Sequence, residues 1–166
     1  MTAEPRATRP HMPGYGVAGP DSGTGLLPWS WAVERLAGSH DYWLATAGIS
    51  GQPHVMPVWG AWLDGAVWFS SGLRSRKARD LADRPACTLA TDDAQQPVVV
   101  EGTASRVTEG EALRAFAAAI DAKYGTDYGV EFYDPEVNGV WRVVPVWAFG
   151  LVQDDFTGSP TRWTFG

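Results

Sequence analysis

The chain has 166 residues, 45% of them hydrophobic and nine of them tryptophan, which predicts one folded domain with a substantial core and excludes a largely disordered chain. Its formal net charge of −6 argues against general binding to nucleic acid or to a membrane surface, because both attract a broad positive field. No apolar stretch approaches the roughly 20 residues that span a bilayer, and the first residues lack a signal-peptide pattern, so we expect a cytoplasmic protein.

Two segments are predicted along the chain. Residues 1–28 are rich in proline, glycine and small polar residues and show no periodicity, which predicts a flexible arm that is extended or disordered. Residues 29–166 are predicted to form the folded domain. Ser30 is a candidate N-cap for a first helix that ends near Ala37.

Strands dominate the rest of the chain. Asp64-Gly65 predicts a two-residue hairpin, and Thr108 with Glu111 has the spacing of a capping box at the start of a helix that Gly125 ends. In chain order we predict strands at 42–47, 54–63 and 66–70, a helix at 75–83, strands at 86–91 and 98–107, a helix at 108–124, and strands at 140–152 and 162–165. Many short strands with few helices indicate a mainly β protein, a small β-barrel with α additions.

The strand from His54 to Leu63 is apolar on both alternating faces. A half-exposed antiparallel strand normally alternates apolar with polar residues. One face can fill the barrel, so the other requires a partner surface or an aromatic ligand. Pro57 lacks a backbone donor, which predicts an edge or a bulge where a ligand can approach.

Four cations lie within six residues, at Arg74, Arg76, Lys77 and Arg79, although the chain has only thirteen lysines and arginines. They surround the predicted start of a short helix after Ser75. A helix start presents unpaired N–H groups and a positive dipole end, so this pattern predicts an anion site, and converging donors suit a phosphate. A solvated helix face is the alternative interpretation.

The order of several short segments resembles the pyridoxamine 5'-phosphate oxidase-like superfamily, in particular its flavin/deazaflavin oxidoreductase branch. The similarity covers about residues 29–165. The segments that carry it are Trp43-Leu44-Ala45-Thr46, Gly51-Gln52-Pro53-His54-Val55-Met56-Pro57-Val58-Trp59, Phe69-Ser70-Ser71, Ser75-Arg76-Lys77-Ala78-Arg79-Asp80-Leu81, Val98-Val99-Val100-Glu101-Gly102-Thr103-Ala104 and Thr161-Arg162-Trp163.

The resemblance implies an antiparallel, Greek-key split β-barrel that forms a homodimer, with FMN or the deazaflavin coenzyme F-420 in a cleft between the subunits. It implies that residues 29–166 form an FMN-binding split-barrel domain. Arg76 and Lys77 match the pair that grips the cofactor phosphate, and Arg74 and Arg79 are either helpers or solvated. The resemblance further assigns assisting hydroxyl or N–H groups to Ser70, Ser71 and Ser75, and the edge along the cofactor ring to His54, Met56, Pro57, Val58 and Trp59.

Two departures from the family pattern bear on function. Asp80 stands where these proteins commonly have asparagine, which places an anion close to the phosphate grip. The chain ends with Arg162-Trp163 and has no histidine after His54, whereas true pyridoxamine phosphate oxidases hold their substrate with a terminal arginine and histidine. Pyridoxamine phosphate is therefore a poor substrate candidate.

The sequence leads to the hypothesis of an oxidoreductase that transfers hydride between a flavin-type ring and a small conjugated substrate. A non-catalytic flavin or haem carrier or sensor is the alternative, with His54 as a possible haem contact. A polyglutamate tail on F-420 would favour a positive groove, against which Asp80 and the overall acidity argue. His11, His40 and His54 lack metal-ligand spacing, so no metal site and no catalytic side chain are proposed.

Overall fold

The computed structural model describes residues 4–166, in which eight strands and three helices are found. In chain order these are β1 (Arg6–Thr8), α1 (Trp29–Gly38), β2 (Asp41–Ala47), β3 (Pro53–Leu63), β4 (Ala66–Gly72), α2 (Arg76–Asp83), β5 (Ala86–Thr91), β6 (Val98–Val107), α3 (Gly110–Tyr124), β7 (Asn138–Gly150) and β8 (Thr161–Thr164), with 3-10 turns at Val130–Tyr133 and Gln153–Asp155.

Six strands close into an antiparallel barrel. The order β7-β4-β3-β2-β5-β6 returns to its start because β6 also pairs with β7. Every pairing is antiparallel. The predicted mainly β fold, a split barrel with helical additions, is therefore confirmed, whereas the homodimer stays a prediction.

The strand β7 pairs with three other strands of the sheet. Its residues 138–143 pair with β4, its residues 147–150 pair with β8, and its other edge follows β6 throughout. The β6–β7 register shifts between Glu101 and Gly102, where a Cβ on Gly102 would lie 2.2 Å from the carbonyl oxygen of Val144. Pro145 has no backbone N–H to donate to β6. Because the ladder is already interrupted by the bulge at this point, the strand continues through the proline, as predicted.

Two apolar cores lie on opposite sides of the barrel wall. The barrel interior is filled by side chains that include Tyr42, Leu44 and Phe69, while α3 buries Phe116 and Ile120 against the outside of β3, β4 and β7. The side chain of Phe116 is completely buried. The helix α3 therefore covers one part of the outer wall, and other parts stay uncovered.

Two predicted caps are wrong. The helix α1 begins at Trp29 with Pro28 as the extended residue before it, so Ser30 lies inside the first turn. The helix α3 is preceded by Glu109, which makes no side-chain cap bond, so the predicted box of Thr108 and Glu111 does not form. In both places the chain enters the helix one or two residues away from the expected cap, because packing of the helix face overrides the local capping preference. Gly125 ends α3 in the left-handed conformation, as predicted.

The predicted arm lies against the barrel. Residues 6–8 form β1 and pair with β8. The guanidinium of Arg9 donates hydrogen bonds to five carbonyl oxygens, those of Gly19, Ser22, Gly25, Gly158 and Pro160. The flexibility of residues 1–28 and the domain boundary after them stay predictions, and residues 1–3 lie outside the described part of the chain.

Candidate functional site

The predicted basic helix exists as α2, and Ser75, its predicted first residue, is its N-cap. Ser75 is extended and its hydroxyl accepts a hydrogen bond from the Ala78 N–H at 3.2 Å. The hydroxyl of Ser71, at the end of β4, lies 2.9 Å from the Ser75 hydroxyl. Two hydroxyls therefore lie beside the first turn of α2, whose N–H groups and dipole favour an anion.

The side chain of Arg76 reaches from α2 to the start of β3. Its Nη2 donates to the carbonyl oxygen of Gln52 at 3.2 Å, and its Nε lies 3.8 Å from the carboxylate of Asp80. The Arg76 side chain is 43% exposed, and its Nη1 has no hydrogen-bond partner among residues 4–166. Its position is therefore fixed by two contacts while donors face outward.

The other three cations differ in their surroundings. Arg79 donates from Nη1 to the carbonyl oxygen of Arg74 at 2.8 Å, so part of its donor capacity is used within the cluster. Arg74 is exposed, and Lys77 is half-buried and forms no ion pair within the described residues. Arg76 and Lys77 are thus the cations best placed beside the Ser71 and Ser75 hydroxyls.

The strand β3 has one open edge. Its residues 53–59 pair with β2, but on the other side only residues 60–63 pair with β4. The β3–β4 pairing ends at Gly60 and Phe69, while the other edge of β4 stays paired with β7 as far as Gly72, so Ser70 and Ser71 are not paired with β3. A wedge therefore opens between β3 and β4, with the start of α2 next to it, and the predicted edge at Pro57 is confirmed.

The backbone groups that face the open edge follow from the contacts of Gly60. The N–H and C=O of Gly60 bond to the Tyr124 hydroxyl, which also donates to the carbonyl of His40, just before β2. These groups thus point to the β2 side. Because direction alternates along a strand, the backbone groups of Val55, Pro57 and Trp59 face the opposite, unpaired side. Because that side of the strand is unpaired, the lack of an N–H on Pro57 removes no hydrogen bond between strands.

The predicted ring-contacting side chains lie on two faces of β3. Val58 is buried in the barrel core, and by the same alternation its backbone groups, like those of Gly60, face β2. Met56 is exposed and His54 is half-buried on that same face, and no hydrogen bond holds the His54 ring within residues 4–166. Trp59 faces outward and stacks on Tyr124, with ring centroids 4.1 Å apart.

An apolar surface extends over the outside of the barrel next to this edge. Trp43, Val55 and Trp59 are each 44–52% exposed, and Val144 and Val146 of β7 are exposed as well. A groove of about 490 Å³ crosses the same face, lined among others by Ala45, Ala86, Thr88, Glu101, Thr103 and Trp147. The two-faced apolar pattern of β3 is therefore real; α3 packs over the outer face near Ala61, whereas Val55 and part of Trp59 stay exposed among the described residues.

Sequence reasoning missed two contacts at the site. Asp80 is buried, and its carboxylate accepts a hydrogen bond from the Thr46 hydroxyl at 2.9 Å in addition to the Arg76 contact. The spacing of four residues between Arg76 and Asp80 could have indicated their ion pair. Nothing local could have indicated Thr46 or the Gln52 carbonyl, because both belong to distant parts of the sequence.

A second polar cluster lies where α3 meets β3. Lys123 donates from Nζ to the Gly60 carbonyl at 2.6 Å and lies over the rings of Tyr42 and Tyr124. Burial lowers the pKa of Lys123, which nearby Asp41 and Asp92 partly offset. Burial raises the pKa of the Tyr124 hydroxyl. These contacts end the β2–β3 ladder and are structural.

None of the helices within residues 4–166 has both the length and the apolar character needed to cross a membrane.

The comparisons with known proteins agree with the geometry. A family model described as pyridoxamine 5'-phosphate oxidase matches residues 32–149. No curated protein matches the chain. Among solved structures, the conserved hypothetical protein Rv2991 from Mycobacterium tuberculosis is 23% identical, with a TM-score of 0.66 over 83% of this chain and 85% of that one.

Two further solved structures carry functional descriptions. A protein described as an F420 reductase is 21% identical, with a TM-score of 0.57 over 69% of this chain and 93% of that one. The heme storage protein HutZ from Vibrio cholerae is 18% identical, with a TM-score of 0.56 over 69% of this chain and 87% of that one. At these identities the likeness establishes the shared fold.

Proposed function

The chain belongs to the pyridoxamine 5'-phosphate oxidase family, and we propose that it is an oxidoreductase that binds FMN or coenzyme F-420. The cofactor phosphate would bind at the start of α2, and the ring would lie along the open edge of β3. The substrate would be a small conjugated molecule that stacks on the ring.

One observation supports this proposal above the others, the hydrogen bond of 3.2 Å from Arg76 to the carbonyl of Gln52. It places a guanidinium between the helix start and the open edge, so a phosphate and its attached ring can be held by neighbouring elements. Two serine hydroxyls, two cations and helix N–H groups form a donor set that suits a phosphate. The residues present therefore fit the cofactor.

The protein would supply position and a dry surface, and the bound ring would supply hydride-transfer chemistry. The N–H groups of Val55 and Trp59 and the carbonyl of Pro57 face the open edge and can hydrogen-bond the polar rim of a ring. Met56 and His54 lie on the inner face of the same strand segment. Apolar neighbours exclude water from that side.

We propose that a second copy of the chain covers the apolar outer face and completes the cleft. Trp43, Val55 and Trp59 expose large apolar side chains on adjacent strands, and a contiguous face of this kind marks an interaction surface. Sedimentation should give twice the chain mass. Val55→Lys should shift the protein towards the monomer, and a wild-type monomer at high protein concentration would contradict this part of the proposal.

Pyridoxamine phosphate is not the proposed substrate. Trp163 is completely buried and its indole N–H donates to the Leu27 carbonyl, while Arg162 lies over the ring of Trp147. No histidine follows His54 in the sequence. The terminal segment thus lacks the histidine that the family uses to hold that substrate.

A haem carrier is the second candidate function. The observation that favours it is the half-buried His54 ring, which is held by no hydrogen bond within residues 4–166 and lies beside the open edge. The likeness to HutZ, described as a heme storage protein, supports the same candidate. A His54→Ala variant that loses haem binding but keeps flavin binding would favour it.

The experiment that tests the proposal is titration with FMN and with F-420. Arg76→Ala combined with Lys77→Ala should weaken binding by more than about 1 kcal/mol, the order of a lost charge-assisted contact. Arg79→Ala is the matched control, since its guanidinium bonds to Arg74. Equal losses in both variants, or no binding of either cofactor by the wild type, would contradict the proposed site.

A further inference from the structure

We propose that Asp80 is a specificity-determining residue that favours a phosphodiester over a phosphomonoester at the start of α2. This inference rests on the proposed function, because it takes Arg76 and Lys77 as the cations that hold the phosphate. It goes further by naming the chemical class of phosphate that the site prefers.

The carboxylate of Asp80 is fixed beneath the proposed phosphate site. Asp80 is 8% exposed and lies one helical turn after Arg76. It accepts the Thr46 hydroxyl at 2.9 Å, and one of its oxygens would lie 2.6 Å from a Cβ placed on Gly48. Packed between α2 and the end of β2, the carboxylate cannot swing away when an anion binds.

Asp80 also reduces the positive charge that Arg76 offers. Its carboxylate oxygen lies 3.8 Å from the Arg76 Nε, so it offsets one of the two charges of the Arg76–Lys77 pair. A buried carboxylate is less screened by salt than an exposed one. Asp80 therefore makes the site less positive by one charge than it would be with a neutral residue, and this loss weakens the attraction of a dianion more than that of a monoanion.

Phosphate esters differ in this respect. A monoester has a second pKa near 6 and carries almost two negative charges at neutral pH. A diester has no second proton to lose and carries one. FMN bears a monoester, whereas F-420 bears a diester, so repulsion by Asp80 penalises FMN more. The Asp80 carboxylate lies 3.8 Å from the Nε of Arg76, a proposed phosphate contact, so we expect its charge to act on the phosphate more than on a distant polyglutamate tail.

The test compares ligands that share one ring and differ in charge. Wild type and Asp80→Asn would be titrated with FMN, with the methyl ester of the FMN phosphate, and with riboflavin, which has no phosphate. We expect Asp80→Asn to increase the affinity for FMN about fivefold more than the affinity for the methyl ester. The reason is that the carboxylate repels two charges on FMN and only one on the ester. Riboflavin affinity should be unchanged. If the wild type binds F-420 alone, Asp80→Asn should confer measurable FMN binding.

Two variants separate charge from position. Thr46→Val removes the hydrogen bond to Asp80 but keeps its charge, so the ratio of FMN affinity to ester affinity should stay at the wild-type value. Asp80→Ser serves the same purpose as Asp80→Asn if the asparagine variant does not fold. A ratio that Asp80→Asn leaves unchanged, or that Thr46→Val changes equally, overturns the inference while leaving the cofactor proposal intact. If no ligand binds, F-420 included, the proposed function itself fails, and the inference fails with it.

Discussion

The two halves of β3 belong to one strand but have different neighbours. Residues 60–63 pair with β4 on one side, Gly60 bonds to the Tyr124 hydroxyl on the other, and α3 packs over them. Residues 53–59 pair with β2 alone and expose Val55, Met56 and Trp59. We call these the covered half and the open half.

Within this single strand, the covered half contributes to the stability of the fold, and the open half offers groups for binding. In the covered half, one edge pairs with β4 and α3 packs over the outer face, so little is left for a ligand. In the open half, one edge and one face have no partner among the described residues. Substitutions in or under the covered half should therefore lower the free energy of unfolding, and those in the open half should change binding instead.

The largest expected effect lies under α3, against the covered half. Phe116→Ala removes a completely buried ring that contacts Trp68 and Tyr133, and should lower the free energy of unfolding by about 4 kcal/mol. Met56→Ala in the open half is the control and should cost less than about 1 kcal/mol, because its side chain is 42% exposed. Urea unfolding measures both. Similar losses would break the comparison.

A smaller loss is expected at the boundary of the covered half. Gly60→Ala would place a Cβ 2.6 Å from the Trp68 carbonyl oxygen and 3.1 Å from the Tyr42 ring, so the backbones must separate. We expect a loss of about 1–3 kcal/mol by urea unfolding. Gly72→Ala is the matched control, since the nearest atom to its Cβ would be 3.9 Å away. It should be close to neutral.

The hydroxyl of Tyr124 links Gly60, in the covered half, to the carbonyl of His40, just before β2 begins. Tyr124→Phe keeps the stacking on Trp59 but leaves the Gly60 N–H and the His40 carbonyl without this partner. The expected loss is about 1 kcal/mol, the order of one buried hydrogen bond. An unchanged midpoint of urea unfolding would mean that water replaces the hydroxyl there.

The smallest expected effect is a pH dependence from Lys123. Burial lowers its pKa in the folded state below the ordinary 10.5. Between the lowered pKa and 10.5 the unfolded chain binds the proton and the folded chain does not, so stability from this group rises with pH in that window. The stability of wild type relative to Lys123→Met should therefore be greater at pH 10 than at pH 7. A constant difference would show that Lys123 titrates normally.

Sequence reasoning succeeded where the signal was local. The helix start at Ser75, the Asp64-Gly65 hairpin and the edge at Pro57 each depend on a few neighbouring residues, and the structure confirms all three. Caps failed at Ser30 and Thr108 because helix packing decides the first residue.

The contacts that define the site could not be predicted. Thr46 meets Asp80 and Gln52 meets Arg76 only after the barrel has closed, so no spacing in the sequence carries them. The resemblance to a family predicted which residues form the proposed phosphate site and placed the Asp80 anion close to it. It gave no information about the hydrogen bond that Asp80 accepts from the Thr46 hydroxyl.

The docking of Arg9 constrains the order in which the molecule can assemble. All six barrel strands lie within residues 41–150, so the barrel can close without β1 or β8. Arg9 bonds to the Pro160 carbonyl, 151 residues away, and β1 pairs with β8. These contacts have the longest loop to close and should form last. We therefore expect β1 to form only after β8 is in place. Pulse-labelled hydrogen exchange should find β1 protected after the barrel strands.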